Sequence, residues 1–250
     1  MDLALAGTGQ MGKAVAALAP DRGHAVVETF NADRPLTDAD PGSFHADVVI
    51  DFSLPSVALE HIQWYCEHDQ PAVVGTTGWY DDLPLVQSWV ASNNAALLYA
   101  PNFSLGVAVL RRAVAAVGPL LDQLPDYDAF IHEVHHTKKV DSPSGTAQML
   151  GDLLVEHLQR KTHIDPEAQH DRVDPDALHV SSTRAGTVFG EHTVAFDSPY
   201  DRIEMTHRAK SRHGFAFGAL RSAEWLDGRT GLFTLNDVLD DWIASESTDA

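Results

Sequence analysis

Residues 133–147, Glu-Val-His-His-Thr-Lys-Lys-Val-Asp-Ser-Pro-Ser-Gly-Thr-Ala, place proton donors beside a turn suited to holding an anion. His135 and His136 are of the residue type that can carry a proton near neutral pH, and Lys139 supplies a fixed positive charge or a second proton donor. Pro143-Ser144-Gly145-Thr146 reads as a turn that opens a helix. The helix is predicted from Ala147, Met149, Leu150, Leu153, Leu154 and Leu158, whose spacing gives one apolar face. The free N–H groups of its first turn would point at an anionic ligand. A proton donor next to such a turn reads as an active site, and a dicarboxylate substrate fits it.

A second constellation opens the chain. Gly7-Thr8-Gly9-Gln10-Met11-Gly12 follows the apolar run Leu3–Ala6 and precedes a helical stretch around Val15–Leu18 and a strand at Ala25–Phe30. This is G-x-G-x-x-G in strand-to-helix context, where glycines let a pyrophosphate approach a helix N-terminus. Further strands are predicted at 47–52, 72–75 and 96–100, separated by helical segments, and the alternation implies a parallel, doubly wound, Rossmann-like sheet. Three of the strands run into small or polar residues: Asp51-Phe52-Ser53, Gly75-Thr76-Thr77-Gly78 and Ala100-Pro101-Asn102-Phe103-Ser104. Ligands bind at the carboxyl ends of such strands.

After a helix at about 105–121 the pattern changes to longer strands, predicted at 127–135, 179–184, 187–196 and 201–209, which implies a second, mixed α+β domain. The expected division is a dinucleotide-binding domain over residues 1–104, a substrate-binding and oligomerisation domain over 105–212, and a C-terminal segment, 213–250, returning to the first. That segment is predicted to hold a helix from about Gly214 to Leu226 and another opened by Thr234-Leu235-Asn236-Asp237. The acidic stretch Asp165–Asp176, with Pro166 and Pro175, reads as a solvated loop.

Composition narrows the function classes. Acidic residues number 36 against 17 basic ones, a formal charge of −19, and such a surface repels phosphates, so no nucleic-acid partner is expected. Only five residues are lysines, two of them Lys138 and Lys139, and an acidic, lysine-poor surface also suits a protein dissolved in concentrated salt. The single cysteine, Cys66, excludes an intrachain disulfide, suits a reducing compartment and, at a helical apolar position, reads as core packing. No basic-then-apolar leader opens the chain and no run approaches a membrane span, so a cytoplasmic protein without a membrane partner is expected. His61, His68 and His170 read as solvated surface groups.

One motif offers a rival. His132-Glu133-Val134-His135-His136 satisfies H-E-x-x-H, the pattern of zinc hydrolases with His132 and His136 as ligands and Glu133 as base. Its chemistry requires a helix that puts both histidines on one face, whereas Asp128–Ile131 is β-like and Ser142-Pro143-Ser144-Gly145 breaks the chain. No metal is therefore expected. A further alternative is a non-catalytic dinucleotide sensor, which would have no need of the proton donor, lysine and anion turn together.

Taken in order, the glycine turn, Asp51-Phe52-Ser53, Gly75–Gly78, Ala100–Ser104 and the His-His-x-x-Lys motif through Gly145-Thr146 resemble dihydrodipicolinate reductases. The likeness continues in Arg184-Ala185-Gly186, Gly190-Glu191-His192-Thr193, Glu204–Ala209, Ser211-Arg212 and Gly218–Ala223, nearly the whole chain. The resemblance implies reduction of 4-hydroxy-tetrahydrodipicolinate to tetrahydrodipicolinate by NADH or NADPH, a step of lysine and diaminopimelate synthesis, in a homotetramer. It further implies that His135 is the general acid, that Lys139 is a second proton donor, and that His136, Ser144, Gly145 and Thr146 hold the substrate carboxylates. The cofactor contacts it implies are Gly7, Thr8, Gly9, Gln10, Met11 and Gly12 at the pyrophosphate, and Gly75, Thr76, Thr77, Ala100, Pro101, Asn102 and Phe103 around the nicotinamide. Where an acidic residue would bind the ribose hydroxyls of NADH, this chain has Asn31, with Asp33 and Arg34 just beyond.

Overall fold

The computed structural model describes residues 1–246. In chain order the elements are β1 (Asp2–Ala6), α1 (Gln10–Leu18), β2 (Ala25–Phe30), β3 (Val48–Asp51), α2 (Pro55–Glu67), β4 (Ala72–Val74), α3 (Leu83–Asn93), β5 (Ala96–Tyr99), α4 (Leu105–Asp122), β6 (Asp128–His135), α5 (Gly145–His157), β7 (His163–Asp165), β8 (Ala177–Arg184), β9 (Glu191–Asp197), β10 (Arg202–Arg208), α6 (His213–Leu226), β11 (Gly231–Thr234) and α7 (Leu235–Glu246). The described residues form two compact units, one of residues 1–105 and 212–246 and the other of residues 106–211.

The first unit is built on a six-stranded sheet in the order β11-β5-β4-β3-β1-β2, with all adjacent strands parallel. Because helices cover such a sheet on both faces, its central strands are continuous apolar runs. All of β3 and β4 is buried, as are Leu3–Ala6 of β1. The chain runs from β1 outward to β2 and then crosses to β3 on the other side of β1, so the order reverses at the strand that ends in the glycine turn. Cys66 lies inside this unit's core, and burial, with the neighbouring Glu67, pushes its thiol up to about 11.

The second unit carries a mixed sheet in the order β10-β9-β6-β8-β7. β6 runs parallel to β8 and antiparallel to β9. Along β6 the side chains at 129, 131, 133 and 135 are buried and the alternating ones are not, the period-2 pattern of a strand with one packed face. α5 covers that face with Ala147, Leu150, Leu154 and, just past its end, Leu158.

Three local expectations are corrected. The strand expected over 187–196 begins at Glu191, because Val188 and Gly186 instead accept the His136 and Thr137 N–H groups in a loop. β7 and β11, three and four residues long, went unread. His61 is buried against Asp51.

Candidate active site and nucleotide cradle

In the first unit the glycine turn is shaped by close approach. Gly7 has φ +97°, and a Cβ there would lie 2.2 Å from the Phe52 carbonyl oxygen. One on Gly12 would lie 2.0 Å from the carbonyl of Gly7. Gly9 meets nothing within 4 Å. It precedes α1, and no side chain caps the helix there, so the first-turn N–H groups remain for an anion. Two glycines are thus required by packing, and the third leaves open space.

Beside the turn lies a mostly apolar cavity of about 400 Å³ lined by Gly7, Thr8, Gly9, Asn31, Leu54, Val57 and His61, among others. A second hollow is bordered by Gly9, Gln10, Met11, Gly75, Thr76, Thr77 and Arg212, and a third by Met11, Gly75, Pro101, Asn102, Phe103 and Phe215. Phe52 borders all three. Glycine is needed at 75, where a Cβ would fall 2.1 Å from the Phe52 ring. Of the expected cofactor residues, Gly12 lets α1 approach the Gly7 carbonyl, and Ala100, which is buried, borders none of these hollows, nor does Gly12.

The cavity rim is tied by one carboxylate. Asp51, buried at the end of β3, accepts from His61 Nδ1 at 2.9 Å and Tyr65 Oη at 2.8 Å on one oxygen, and from the Ser53 amide at 2.8 Å and Thr76 Oγ1 at 3.0 Å on the other. Burial pushes its pKa up, but the hydrogen bond and charge of His61, with the Ser53 bonds, prevail and hold it below the usual range. His61 and Tyr65 are one helical turn apart on α2, so both reach the same group. The Thr76 hydroxyl is committed to Asp51. Asn31 Oδ1 accepts the Asp33 and Arg34 amides at 2.9 and 3.1 Å. Arg34 is paired with Glu28 at 2.5 Å and lies over the Phe30 ring.

In the second unit, strand alternation brings Glu133 and His135 to the same buried face. Register then sets Arg184 opposite His135 and His192 opposite Glu133. Glu133 accepts from His135 Nδ1 on one oxygen, and from Arg184 Nη2 at 2.7 Å and the Ser144 amide at 3.2 Å on the other. Burial raises the Glu133 pKa, yet donors led by Arg184 outweigh it and bring it down to about 2. Burial lowers His135, Glu133 opposes that, and Lys139 and Arg184 add to the lowering, leaving it below its ordinary value. His192 is depressed by burial, then by the charge of His135, to about 4, so it is neutral at physiological pH. The His135 and His192 rings meet edge to face at 5.1 Å.

α5 starts immediately beside this cluster. Ser144 caps it by accepting the Ala147 amide at 3.2 Å, and the same Oγ contacts His192 Nε2 at 3.1 Å. Its buried side chain is thereby directed inward, while Gly145 is exposed and its missing Cβ would meet nothing within 4 Å. Lys139 Nζ pairs with Asp141 at 2.8 Å, and the His136 Nδ1 atom is buried without a hydrogen-bond partner. The structure therefore assembles His135, Lys139 and the α5 N-terminus within this unit.

The zinc hydrolase pattern is not realised, since His132 and Glu133 lie on a strand and point to opposite faces. His132 instead meets Ser181 Oγ at 2.9 Å. Glu133, His135 and His192 do bring three potential ligand atoms within 4.8 Å of one another. Both Glu133 oxygens, however, are taken by donors, one of them a guanidinium that a cation would have to expel.

The sequence named Phe52, Arg212, Arg184 and His192 only within motifs, Glu133 only as the base of the zinc pattern and His61 only as a surface group, and it offered no sign of Phe215; none was assigned the place it takes here. The signal for Glu133 was present as period-2 alternation with His135. Arg212 and Phe215 arrive from the returning C-terminal segment and have no local signature.

Residues 1–103 match the family profile described as dihydrodipicolinate reductase, N-terminus, and residues 106–239 the one described as dihydrodipicolinate reductase, C-terminus. A 4-hydroxy-tetrahydrodipicolinate reductase of Christiangramia forsetii is 40% identical over 241 residues, covering 96% of this chain and 98% of that protein. One from Neisseria meningitidis serogroup B is 36% identical over 212 residues, 81% of this chain and 76% of that protein. In fold, the chain is similar to a dipicolinate-bound dihydrodipicolinate reductase from Paenisporosarcina sp. TG-14, with a TM-score of 0.74, 18% identity, and 94% and 97% of the two chains covered.

Proposed function

The chain belongs to the dihydrodipicolinate reductase family and is an oxidoreductase of lysine and diaminopimelate synthesis, and we propose that it reduces 4-hydroxy-tetrahydrodipicolinate with His135 as proton donor. The balanced reaction consumes the hydroxy acid, a reduced nicotinamide dinucleotide and a proton, and releases tetrahydrodipicolinate, the oxidised dinucleotide and water. The observation that carries the assignment is His135 at the end of β6, bonded to an ionised carboxylate beside the Ser144-capped start of α5.

The first unit fits a dinucleotide. The open space at Gly9, the uncapped α1 and the apolar cavity accept a pyrophosphate and an adenosine respectively, and Arg212 offers a cation beside the turn. The reduced nicotinamide, when bound, supplies the hydride. In this reading Gly7–Met11 hold the pyrophosphate, and Gly75, Thr77 and Pro101–Phe103 border the nicotinamide. Gly12 and Thr76 support that surface through packing and through Asp51.

In the second unit, the exposed Gly145 and the adjoining Thr146 at the start of α5, with His136, bind the substrate carboxylates in this reading. His135 donates the proton that balances hydride addition to the conjugated imine. Lys139, held by Asp141, binds the substrate and serves as a second donor.

Either cofactor is accepted in this reading, with NADPH used at least as well as NADH. Asn31 brings no negative charge to the ribose position, and the Arg34 charge is shared with Glu28. The protein acts in the cytoplasm, and no helix among the described residues is long and apolar enough to cross a membrane. A homotetramer assembled through the second unit is supported by the exposed edge strand β10, which bears the partly exposed Ile203, and by Tyr200 just before it. The purified protein, supplied with substrate made in the cuvette by the preceding synthase, should consume reduced dinucleotide only when that substrate is present. Consumption independent of the substrate, or none with either cofactor, would refute the function.

A further inference from the structure

We infer that Glu133, clamped by Arg184 and by the Ser144 amide, is a positioning residue that locks His135 into one tautomer and leaves Nε2 as its only exchangeable proton site. The inference rests on His135 being the proton donor. It assigns work to a group that itself touches neither substrate nor cofactor.

The geometry is over-determined. Glu133 is fully buried, and its carboxylate takes donors from three elements: His135 on its own strand, Arg184 at the end of β8, and Ser144 at the start of α5. An ionised carboxylate only accepts, so the facing Nδ1 carries hydrogen in both charge states of the imidazole. Proton gain and loss then occur at Nε2. That atom faces bare backbone, since a Cβ added to Gly190 would lie 2.9 Å from it.

Arg184 extends the clamp. The same Nη2 that binds Glu133 also donates to the Asp141 carbonyl at 2.6 Å, and the Asp141 carboxylate pairs with Lys139 at 2.8 Å. Thus one guanidinium connects the orienter of His135 to the holder of Lys139. The groups whose charge acts on His135 are Glu133 on β6, Lys139 in the following loop and Arg184 on β8, while His192 on β9 is neutral at physiological pH. Among these Glu133 alone favours the imidazolium. Replacing it with glutamine keeps an acceptor but deletes that charge, so the His135 pKa falls. A general acid is active below its pKa, so the high-pH limb of the rate profile must move to lower pH.

The test pairs two readouts. In the wild-type protein, ¹⁵N NMR of His135, assigned by its disappearance in His135→Gln, should show a neutral ring protonated at Nδ1. A neutral ring protonated at Nε2 overturns the inference, and this result needs no Glu133 variant to fold. In Glu133→Gln the high-pH limb of kcat should shift down by about 1 to 3 pH units, the range for an opposite charge at this separation, with turnover recovered on acidification and KM for the nucleotide unchanged. An unshifted limb with activity lost at every pH would mark Glu133 as merely structural and overturn the inference. Undiminished turnover in His135→Gln would refute the donor assignment instead, whatever the tautomer.

Discussion

His61 Nδ1 donates to the Asp51 carboxylate across 2.9 Å, tying helix α2 to the end of β3 at the edge of the cavity beside the glycine turn. Tyr65, Thr76 and the Ser53 amide bond the same two oxygens, so the contact is the centre of a buried network. Asp51→Ala strands several buried donors and should cost about 3 to 5 kcal/mol, the scale for removing one partner of a buried pair. Chemical denaturation measures it, and a loss below about 1 kcal/mol would show that the network is dispensable.

Acid should unfold the protein through two carboxyls. Asp51 and Glu133 both have folded pKa values below their unfolded ones. Each therefore contributes stability that is complete above its unfolded pKa and is lost as pH falls through the folded one. For Glu133 the window runs from the ordinary 4.5 down to about 2. Stability measured against pH should fall steadily across that range and fall less steeply in Glu133→Gln. Equal slopes in the two proteins would contradict the assignment.

The glycines of the turn should separate by role. Gly12→Ala forces a Cβ to within 2.0 Å of the Gly7 carbonyl and should destabilise the fold by about 1 to 3 kcal/mol through overpacking. Gly9→Ala meets no protein atom within 4 Å, so its stability should stay within about 0.5 kcal/mol of wild type, while nucleotide binding weakens by roughly tenfold, about 1.4 kcal/mol. Thermal melts beside nucleotide titrations distinguish the two, and a reversed pattern would misplace the pyrophosphate.

Asn31→Asp retains the acceptor that caps the Asp33 and Arg34 amides and adds a charge that accepts from ribose hydroxyls and repels a 2′-phosphate. The wild type should use NADPH at least as well as NADH, and the variant should shift toward NADH. The ratio of kcat/KM values checks both statements. A wild type strongly favouring NADH, or a ratio unmoved by the substitution, would show that Asn31 does not face the ribose.

Much of this was legible in sequence for physical reasons. The strand–glycine turn–helix start has a local signature, and the apolar period of α5 with its Pro-Ser-Gly-Thr opening marks where that helix begins. Ser144 was read as a substrate contact, yet its side chain caps α5 and meets His192. That second partner lies 48 residues away and only sheet register could reveal it. His61 was read as solvated because nothing local tells that α2 packs over the end of β3. Glu133 drew notice as part of a helical metal motif, whereas the strand period pairs it with His135. Short strands such as β7 carry too few residues for any period to emerge.

The central claim is that His135 delivers the proton. The most direct measurement is kcat of His135→Gln with saturating NADPH and substrate, alongside fluorescence titration of NADPH binding to the same protein. The account predicts turnover reduced roughly 10²–10⁴-fold, the usual worth of a positioned proton donor, with nucleotide affinity unchanged. Near wild-type turnover, or a loss explained wholly by weaker NADPH binding, would contradict it.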